Sequence, residues 1–340
     1  MVSRPSRRLG VYSRGAGIAL LAFAVALSIA APAFASSVKS VTIRVEGSSA
    51  TLFTGVRAVR STTIADSTGR KHEIAANPLA ALDLAARIGA FPYVVKESAW
   101  GLGVDSVNGE LPVPADPYPG WMYRVNGVSL PVGANVATLA VGDEVLWYYG
   151  AWDASPTVAQ PSAKLVKVGR SLRVTAKQLD MQGVGSALSG ATVHVGSRVA
   201  TSGPNGDVTL PMNAVGDYGV RVEKAGCIRS ALVTVRVRRP AALDRPAASA
   251  TIVAHGSSAV VSTVLASGAT KLAGKSVRLW HRAAGTAVWI AGQVKTTGLA
   301  GGVGFTVTPS RSTYYRIAFA GDGTYAPVTS APKLVVVAVR

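Results

Sequence analysis

The stretch from Gly120 to Gly150 constrains the fold more than any other part of the sequence, because two of its segments alternate bulky residues with small or polar ones. A period of two is that of a β-strand, whose successive side chains point to opposite faces of a sheet. The bulky residues are Trp121, Tyr123 and Val125 in the first segment and Val145, Trp147 and Tyr149 in the second. The stretch therefore predicts two partner strands, each with an aromatic face.

These aromatic side chains have two interpretations. Aromatic side chains on strands usually pack inward, which favours the core of a small domain. The other interpretation is that the aromatic side chains form a stacking floor for a flat ligand. The proline-rich loop at 112–119 would then form the rim of a pocket. If there is no pocket, this loop is an ordered crossover between strands. The candidate ligand-binding residues are Trp100, Tyr118, Trp121, Tyr123, Trp147, Tyr148 and Tyr149.

Five short motifs in the first half of the chain resemble a known family. They are VTIRVEG (41–47), TLFTG (51–55), ALDLA (81–85), GWMYRVNG (120–127) and GDEVLWYYG (142–150). Their order resembles the transcobalamin-like C-terminal domain of secreted bacterial proteins. The resemblance implies a β-grasp-like α+β domain with one helix, and a corrinoid as the ligand. In vitamin carriers a large helical domain supplies the other half of the corrinoid site, and no part of this chain resembles it. The residues themselves predict no cofactor.

The helix of this domain is predicted to start at Pro78. Asn77 is a good helix cap, and proline is favoured in the first helical turn. Apolar residues follow at helical spacing, and Gly89 is expected to stop the helix.

Residues 1–35 are predicted to be a secretion signal peptide. Four arginines precede an apolar run at 15–31, and Ala33 and Ala35 are the small residues that a signal peptidase recognises. A retained membrane anchor is the weaker interpretation, because the run is short for a spanning helix and ends at Pro32. The sequence thus predicts cleavage after Ala35, a secreted protein and no transmembrane segment in the mature chain.

Beyond an amino-terminal domain at 36–153, short strand-like runs alternate with turns, and no long helical pattern occurs. Strands at a spacing of about ten residues predict β-sandwiches. Two proline-containing linkers, ASPTVAQP at 154–161 and RPAALDRP at 239–246, divide this part into domains at 162–238 and 247–340.

Both of these domains resemble known β-sandwich families. The first resembles the carboxypeptidase-regulatory type through SGATVHVG, PNGDVTL and GDYGVRVEKAG. The second resembles bacterial immunoglobulin-like domains through LAGKSVRLWHR, TYYRIAFAGDGTYAP and LVVVAV, with Trp280 or Trp289 expected to fill the core. The predicted fold class is therefore mainly β: an amino-terminal β-grasp-like α+β domain with one helix, then two immunoglobulin-like β-sandwiches in tandem.

Positive charge is concentrated in the second half of the chain. Residues 36–153 contain 9 basic and 11 acidic side chains, whereas residues 154–340 contain 22 basic and 6 acidic ones. In an exported protein this excess favours an envelope polyanion as a partner, such as a teichoic-type polymer or anionic lipid, with binding that weakens in salt. The alternative is a solubilising charge spread over β surfaces. The arginines are scattered without interleaved aromatic residues, so no nucleic-acid partner is predicted.

The chain has few groups suited to catalysis. It contains one cysteine and four histidines, and no two histidines have a metal-ligand spacing. His72 is expected to be solvated, and Cys227 is expected to be a quiet buried thiol. The sequence therefore predicts a non-enzymatic, envelope-associated binding protein whose amino-terminal domain recognises a small ligand or a partner. The alternative is a purely structural or adhesive protein without a small-molecule ligand.

Overall fold

A computed structural model of the protein describes residues 38–98, 101–114 and 119–338. The predicted signal peptide lies outside these ranges, as do Trp100 and Tyr118. Within them the chain is mainly β, with a single α-helix. No helix in the described ranges has the length and apolar content needed to cross a membrane.

Buried apolar side chains form three large clusters along the chain. The first belongs to the amino-terminal region (39–150), the second to the central region (157–238) and the third to the carboxyl-terminal region (242–338). The amino-terminal region is a β-grasp-like α+β unit, and each of the other two is a β-sandwich.

The amino-terminal region is built around a mixed four-stranded sheet. Its elements are β1 Lys39–Glu46, β2 Thr51–Val59, β3 Thr62–Ala65, β4 Lys71–Ile74, α1 Pro78–Gly89, β5 Tyr93–Ser98, β6 Gly101–Val107, β7 Gly120–Val125 and β8 Glu144–Gly150. The sheet has the order β2-β1-β8-β7, in which β1 and β8 are parallel and the outer pairs are antiparallel. Two hairpins, β3–β4 and β5–β6, complete the region.

The helix α1 begins where the sequence predicts. The Asn77 side chain accepts a hydrogen bond from the Ala80 amide at 2.9 Å, which satisfies one of the free amides of the first turn. The helix continues through Gly89 and ends at Ala90, which has a φ of 53°. Leu79 and Leu82 are fully buried against the sheet.

Both faces of the four-stranded sheet are covered. Val41, Ile43 and Val45 of β1 pack toward α1 in the first core. The opposite face carries Arg44 and Arg124, and these side chains are also buried, with 5% and 0% exposure. A buried guanidinium needs hydrogen-bonding partners, and residues of the central region supply several of them.

The central region is a sandwich of two sheets. Its strands are β9 Thr157–Pro161, β10 Leu165–Lys167, β11 Arg170–Leu179, β12 Gly185–Ala187, β13 Thr192–Val195, β14 Arg198–Thr201, β15 Asp207–Met212, β16 Gly216–Glu223 and β17 Val233–Arg238. One sheet has the order β10-β17-β16-β13-β14, and in the other β11 pairs with β9, β12 and β15.

The carboxyl-terminal region is a second sandwich. Its strands are β18 Ala242–Leu243, β19 Ala247–Ala248, β20 Ile252–Ala254, β21 Ala259–Ser267, β22 Thr270–Lys271, β23 Ser276–Ala283, β24 Ile290–Thr296, β25 Gly302–Val307, β26 Thr313–Phe319, β27 Val328–Thr329 and β28 Lys333–Ala338. The larger sheet has the order β20-β28-β26-β23-β24, with β27 paired to β26, and the smaller one forms around β21.

The core of the carboxyl-terminal region does not contain the expected tryptophan. Leu279, Phe305 and Ile317 are buried at its centre, whereas Trp280 and Trp289 are half-buried and lie outside it. Leu279 and Trp280 are neighbours on β23, so only one of them can face the core.

The segments predicted as linkers are partly strand. Residues 157–161 form β9, which pairs antiparallel with β11 and buries Thr157 and Ala159. Ala242 and Leu243, within the second segment, form β18 and pair with β21. The small and proline-rich composition conceals this pattern, because alanine and threonine give a weak signal of burial even when they alternate inward and outward.

Candidate functional site

A cleft of about 340 Å³ lies beside β7 and β8 in the amino-terminal region. We refer to it as the aromatic cleft. Its lining includes Leu102, Trp121, Tyr123, Leu130, Trp147 and Trp152. The antiparallel pairing of β7 and β8 places Tyr123 opposite Trp147 and Trp121 opposite Tyr149, so these rings share the core-facing side of the sheet.

Three of the predicted ligand-binding residues, Trp121, Tyr123 and Trp147, come together in the cleft. The Tyr123 and Trp147 ring centroids are 5.5 Å apart and tilted by 36°. Trp121 and Trp147 are only 6% and 2% exposed, and both belong to the first core. They therefore form the floor of the cleft, and Tyr123, which is half-buried, forms part of its wall.

Hydrogen bonds to backbone carbonyls fix the orientation of these rings. The Trp121 indole donates to the Glu110 carbonyl and the Trp147 indole to the Pro78 carbonyl, each at 2.9 Å. The Tyr123 hydroxyl donates to the Val132 carbonyl at 2.6 Å, and burial raises the pKa of that phenol. The polar atoms of the floor are already satisfied, so the cleft offers a ligand shape and apolar area rather than charge.

The neighbouring tyrosines occupy different surroundings. Tyr148 points to the opposite face of the sheet, where it is fully buried beside Leu146 and Ile228, so it does not line the cleft. Its hydroxyl donates to the Trp152 carbonyl at 3.0 Å. Tyr149 is half-buried and meets Trp121 edge-on, with ring centroids 5.8 Å apart. Strand alternation explains this separation of Tyr148 from Tyr149.

Trp152 lines the cleft, although the local sequence pattern does not indicate it. Its side chain is 59% exposed, and it follows β8, where the chain turns back. The residues at 150–156 are otherwise small or polar, so a tryptophan among them indicates a side chain at the surface. Periodicity could not reveal its position, because it lies in a turn without a repeating pattern.

The structure brings Asp66, His72 and Glu97 together at the β3–β4 hairpin, although the sequence analysis expects a solvated His72. One potential metal-ligand atom from each lies within 4.8 Å of the others. The His72 Nε2 atom is 2.8 Å from an Asp66 carboxylate oxygen, and the His72 side chain is only 13% exposed. Glu97 is paired with Arg70 at 2.6 Å. The donor set could accept a cation, but each of its carboxylates already has hydrogen-bond partners within the protein.

The described residues offer little else for catalysis. In the part of the chain that the structure describes, no histidine hydrogen-bonds to a serine, threonine or cysteine side chain. Burial raises the pKa of the Cys227 thiol, which lowers the fraction of reactive thiolate.

Comparison with known proteins finds a family model that matches a short segment of the chain. Residues 104–151 match the model of the family DUF4430, a domain of unknown function. The matched segment runs from β6 to the residue after β8, so it includes Trp121, Tyr123 and Trp147. The transcobalamin-like resemblance of residues 38–152 stays a prediction. None of the curated proteins compared with this chain matches it.

Several solved structures share loose similarity with about half of the chain. The D0–D1 domain of intimin is 13% identical, covers 53% of this chain and 99% of its own, and has a TM-score of 0.23. The Yersinia pseudotuberculosis adhesin InvE is 14% identical, with coverage of 54% and 59% and a TM-score of 0.25. The fibronectin(III)-like modules of Clostridium thermocellum CbhA are 13% identical, with coverage of 54% and 94% and a TM-score of 0.30. At such TM-scores the fold assignment depends on the strands and sheets described above.

Proposed function

We propose that this protein is a secreted, non-enzymatic binding protein of the cell surface or envelope. The amino-terminal region binds a small ligand, or a group on a partner, in the aromatic cleft. The two β-sandwiches are spacers that carry this region. The observation on which the proposal depends is the aromatic cleft itself, with its floor of Trp121 and Trp147 and its walls of Tyr123 and Trp152.

The size and chemistry of the cleft support a flat and largely apolar ligand. A volume of about 340 Å³ lies at the lower end of the range for small-molecule sites. The rings of Trp121, Tyr123 and Trp147 are held by hydrogen bonds, so these side chains lose little conformational entropy when a ligand stacks on them. A corrinoid, which the resemblance in the sequence suggests, would insert only an edge into a cleft of this size.

The proposal is tested by titrating the chain from residue 36 to 340 with a corrinoid, a haem-like ring and short glycans, using calorimetry and tryptophan fluorescence. We expect saturable binding of at least one of them. Trp152→Ala should raise its Kd about tenfold, because the loss of an exposed aromatic wall costs about 1.4 kcal/mol. Trp152 is the residue of choice because its side chain is largely outside the core. Val136→Ala is the control, since Val136 is 66% exposed in the same region and does not line the cleft.

The alternative function is a purely structural or adhesive protein that has no small-molecule ligand. The burial of Trp121, Trp147 and Tyr148 favours it, because these rings are 6%, 2% and 0% exposed and so act mainly as core. Absence of binding to every compound tested, or equal affinity of the Trp152→Ala and unaltered chains, would support this alternative and reject the ligand site.

A further inference from the structure

An alternating stack of aromatic rings and guanidinium groups lies on the larger sheet of the carboxyl-terminal region. Its order is Trp280, Arg316, Trp289, Arg282 and Tyr314, and we call it the Trp–Arg stack. The Arg316 guanidinium is 5.8 Å from the Trp280 ring centroid and 4.1 Å from that of Trp289. The Arg282 guanidinium is 5.2 Å from Trp289 and 4.9 Å from Tyr314.

Strand pairing produces this alternation. In the antiparallel pair of β23 and β26, Trp280 lies opposite Arg316 and Arg282 lies opposite Tyr314. Directly opposed residues share a face of the sheet, and this face is the one turned away from the core residues Leu279 and Ile317. The sequence does not reveal this interleaving of arginines and aromatic residues, because it arises between two strands that are distant in the chain.

The two guanidinium groups of the stack have no anionic partner among the described residues. Arg316 forms no hydrogen bond or ion pair with them, and Arg282 donates only to the Thr286 carbonyl. Residues 247–340 contain 9 lysines and arginines but a single acidic residue, Asp322, which is paired with Lys275 at 2.7 Å. The neighbouring rings attract these cations but carry no negative charge, so the positive charge of the two guanidinium groups is not neutralised.

We infer that the Trp–Arg stack is a binding site for a linear acidic polysaccharide, a sugar chain that carries carboxylate or sulfate groups. The guanidinium group presents a planar set of N–H donors that fits such oxyanions, and the flanking rings hold it in place. Diagonal positions across a strand pair, such as those of Arg282 and Arg316, have Cα atoms about 7–8 Å apart. One disaccharide unit with an anionic group at each end can span this distance.

Other polyanions fit the stack less well. Single-stranded nucleic acid binds through bases that stack on free aromatic faces, whereas two guanidinium groups already lie over the Trp289 ring, at 5.2 and 4.1 Å from its centroid. Anionic lipids form a fluid surface whose headgroups adapt to any spacing of cations. The stack holds its two cations at fixed positions, which favours a polymer with a regular spacing of charge.

The test uses the chain from 36 to 340 and measures its binding to heparin and to polygalacturonate, with dextran, polyphosphate and phosphatidylglycerol vesicles for comparison. Arg282→Gln together with Arg316→Gln removes both cations and keeps planar groups that can stack. We expect the Kd for the two acidic glycans to rise at least tenfold, about what the loss of one charge-assisted hydrogen bond produces. We expect no binding to dextran.

A matched pair of substitutions controls for net charge. Arg245→Gln with Arg311→Gln removes two exposed arginines of the same region whose side chains make no hydrogen bond to a described residue. This pair should raise the Kd less than about threefold, since it weakens only the general attraction. Thermal unfolding of both variants establishes that they are folded. If the stack variant does not fold, Arg316→Lys replaces it: this keeps the charge, loses the planar fork and should raise the Kd severalfold.

Three results would overturn the inference. The first is equal loss of glycan binding in the stack variant and in the control. The second is tighter binding to polyphosphate or to vesicles than to the glycans through Arg282 and Arg316. The third is no binding to either acidic glycan. None of these results bears on the aromatic cleft. The cleft is tested separately with Trp152→Ala, which changes no residue of the Trp–Arg stack.

Discussion

Asp66 shows how a single carboxylate holds a turn in its folded form. One of its oxygens accepts hydrogen bonds from the Thr68 hydroxyl at 2.6 Å, the Thr68 amide at 2.8 Å and the Arg70 amide at 3.1 Å. The other oxygen faces the His72 ring at 2.8 Å. The hydrogen bonds from Thr68 and His72 favour the ionised carboxylate and hold the pKa of Asp66 well below its usual range. The turn between β3 and β4 therefore depends on ionisation.

We expect Asp66 to make the stability of the protein depend on acid pH. Its contribution is complete above the unfolded pKa of about 3.9 and is lost as the pH falls toward the lower folded pKa. Urea unfolding at pH 6, 4 and 3 should show a larger loss of stability in the unaltered protein than in Asp66→Asn. Asp244→Asn removes an exposed carboxylate without a side-chain hydrogen bond to a described residue, so it should behave like the unaltered protein. Parallel pH curves for the unaltered protein and Asp66→Asn would contradict this role.

At the scale of single elements, α1 is held by its N-terminal cap as well as by its apolar face. The Asn77 oxygen accepts from the Ala80 amide, and its side-chain nitrogen donates to the Asn135 carbonyl at 2.7 Å. Asn135 lies in the loop before β8, and the Leu79 amide also donates to this loop, at the Ala134 carbonyl. The helix start and one side of the aromatic cleft are therefore parts of one hydrogen-bonded unit.

We expect Asn77→Ala to destabilise the protein by about 2 kcal/mol, with about 1 from the lost cap and about 1 from the lost tether to Asn135. Asn77→Ser keeps an oxygen for the Ala80 amide but is too short to reach Asn135, so it should cost about half as much. Chemical denaturation measures both values. Equal stability of the alanine and serine variants would show that the cap contributes nothing.

At the scale of the whole molecule, the amino-terminal and central regions share an interface of buried charges. Glu46 is 1% exposed and accepts from Arg229 at 2.9 Å, while Arg44 lies 3.2 Å from Glu46 and donates to the Arg229 carbonyl. Arg124 donates to the carbonyls of Asp180 at 2.6 Å and Ala154 at 2.9 Å. Removal of one member of such a network leaves buried groups unpaired, which costs about 3–5 kcal/mol.

We expect Arg124→Ala to uncouple these two regions. Calorimetry should then resolve separate unfolding transitions, and limited proteolysis should cut near residues 154–156, where the chain passes between them. Arg60→Ala is the matched control, because Arg60 is exposed in the same region and should leave the unfolding profile unchanged. A single transition that is only shifted in temperature would mean that the apolar contact of Tyr148 with Ile228 is sufficient to couple the regions.

Part of the aromatic cleft could be predicted from local pattern. Alternation along β7 and β8 identifies Trp121, Tyr123 and Trp147 as residues of one face, and the structure brings them together. Trp152 and Leu130 lie in segments without a repeating pattern, so only the path of the folded chain places them at the cleft. The tertiary structure also decides how much of each ring is exposed. Trp121 and Trp147 are therefore mainly part of the core, and Tyr123 is part of the cleft wall.

The sequence by itself determined the β-strand periodicity, the capped helix and the division of each strand into two faces, because these depend on neighbouring residues. Only the tertiary structure decided which faces meet solvent. Alternation marks Arg44 and Arg124 as polar positions, and they are buried because the central region covers that side of the sheet. The immunoglobulin-like resemblance predicts Trp280 or Trp289 in the core, whereas Trp280 stacks outside the core with Arg316. Burial depends on what packs against a face, and that neighbour comes from a distant part of the chain.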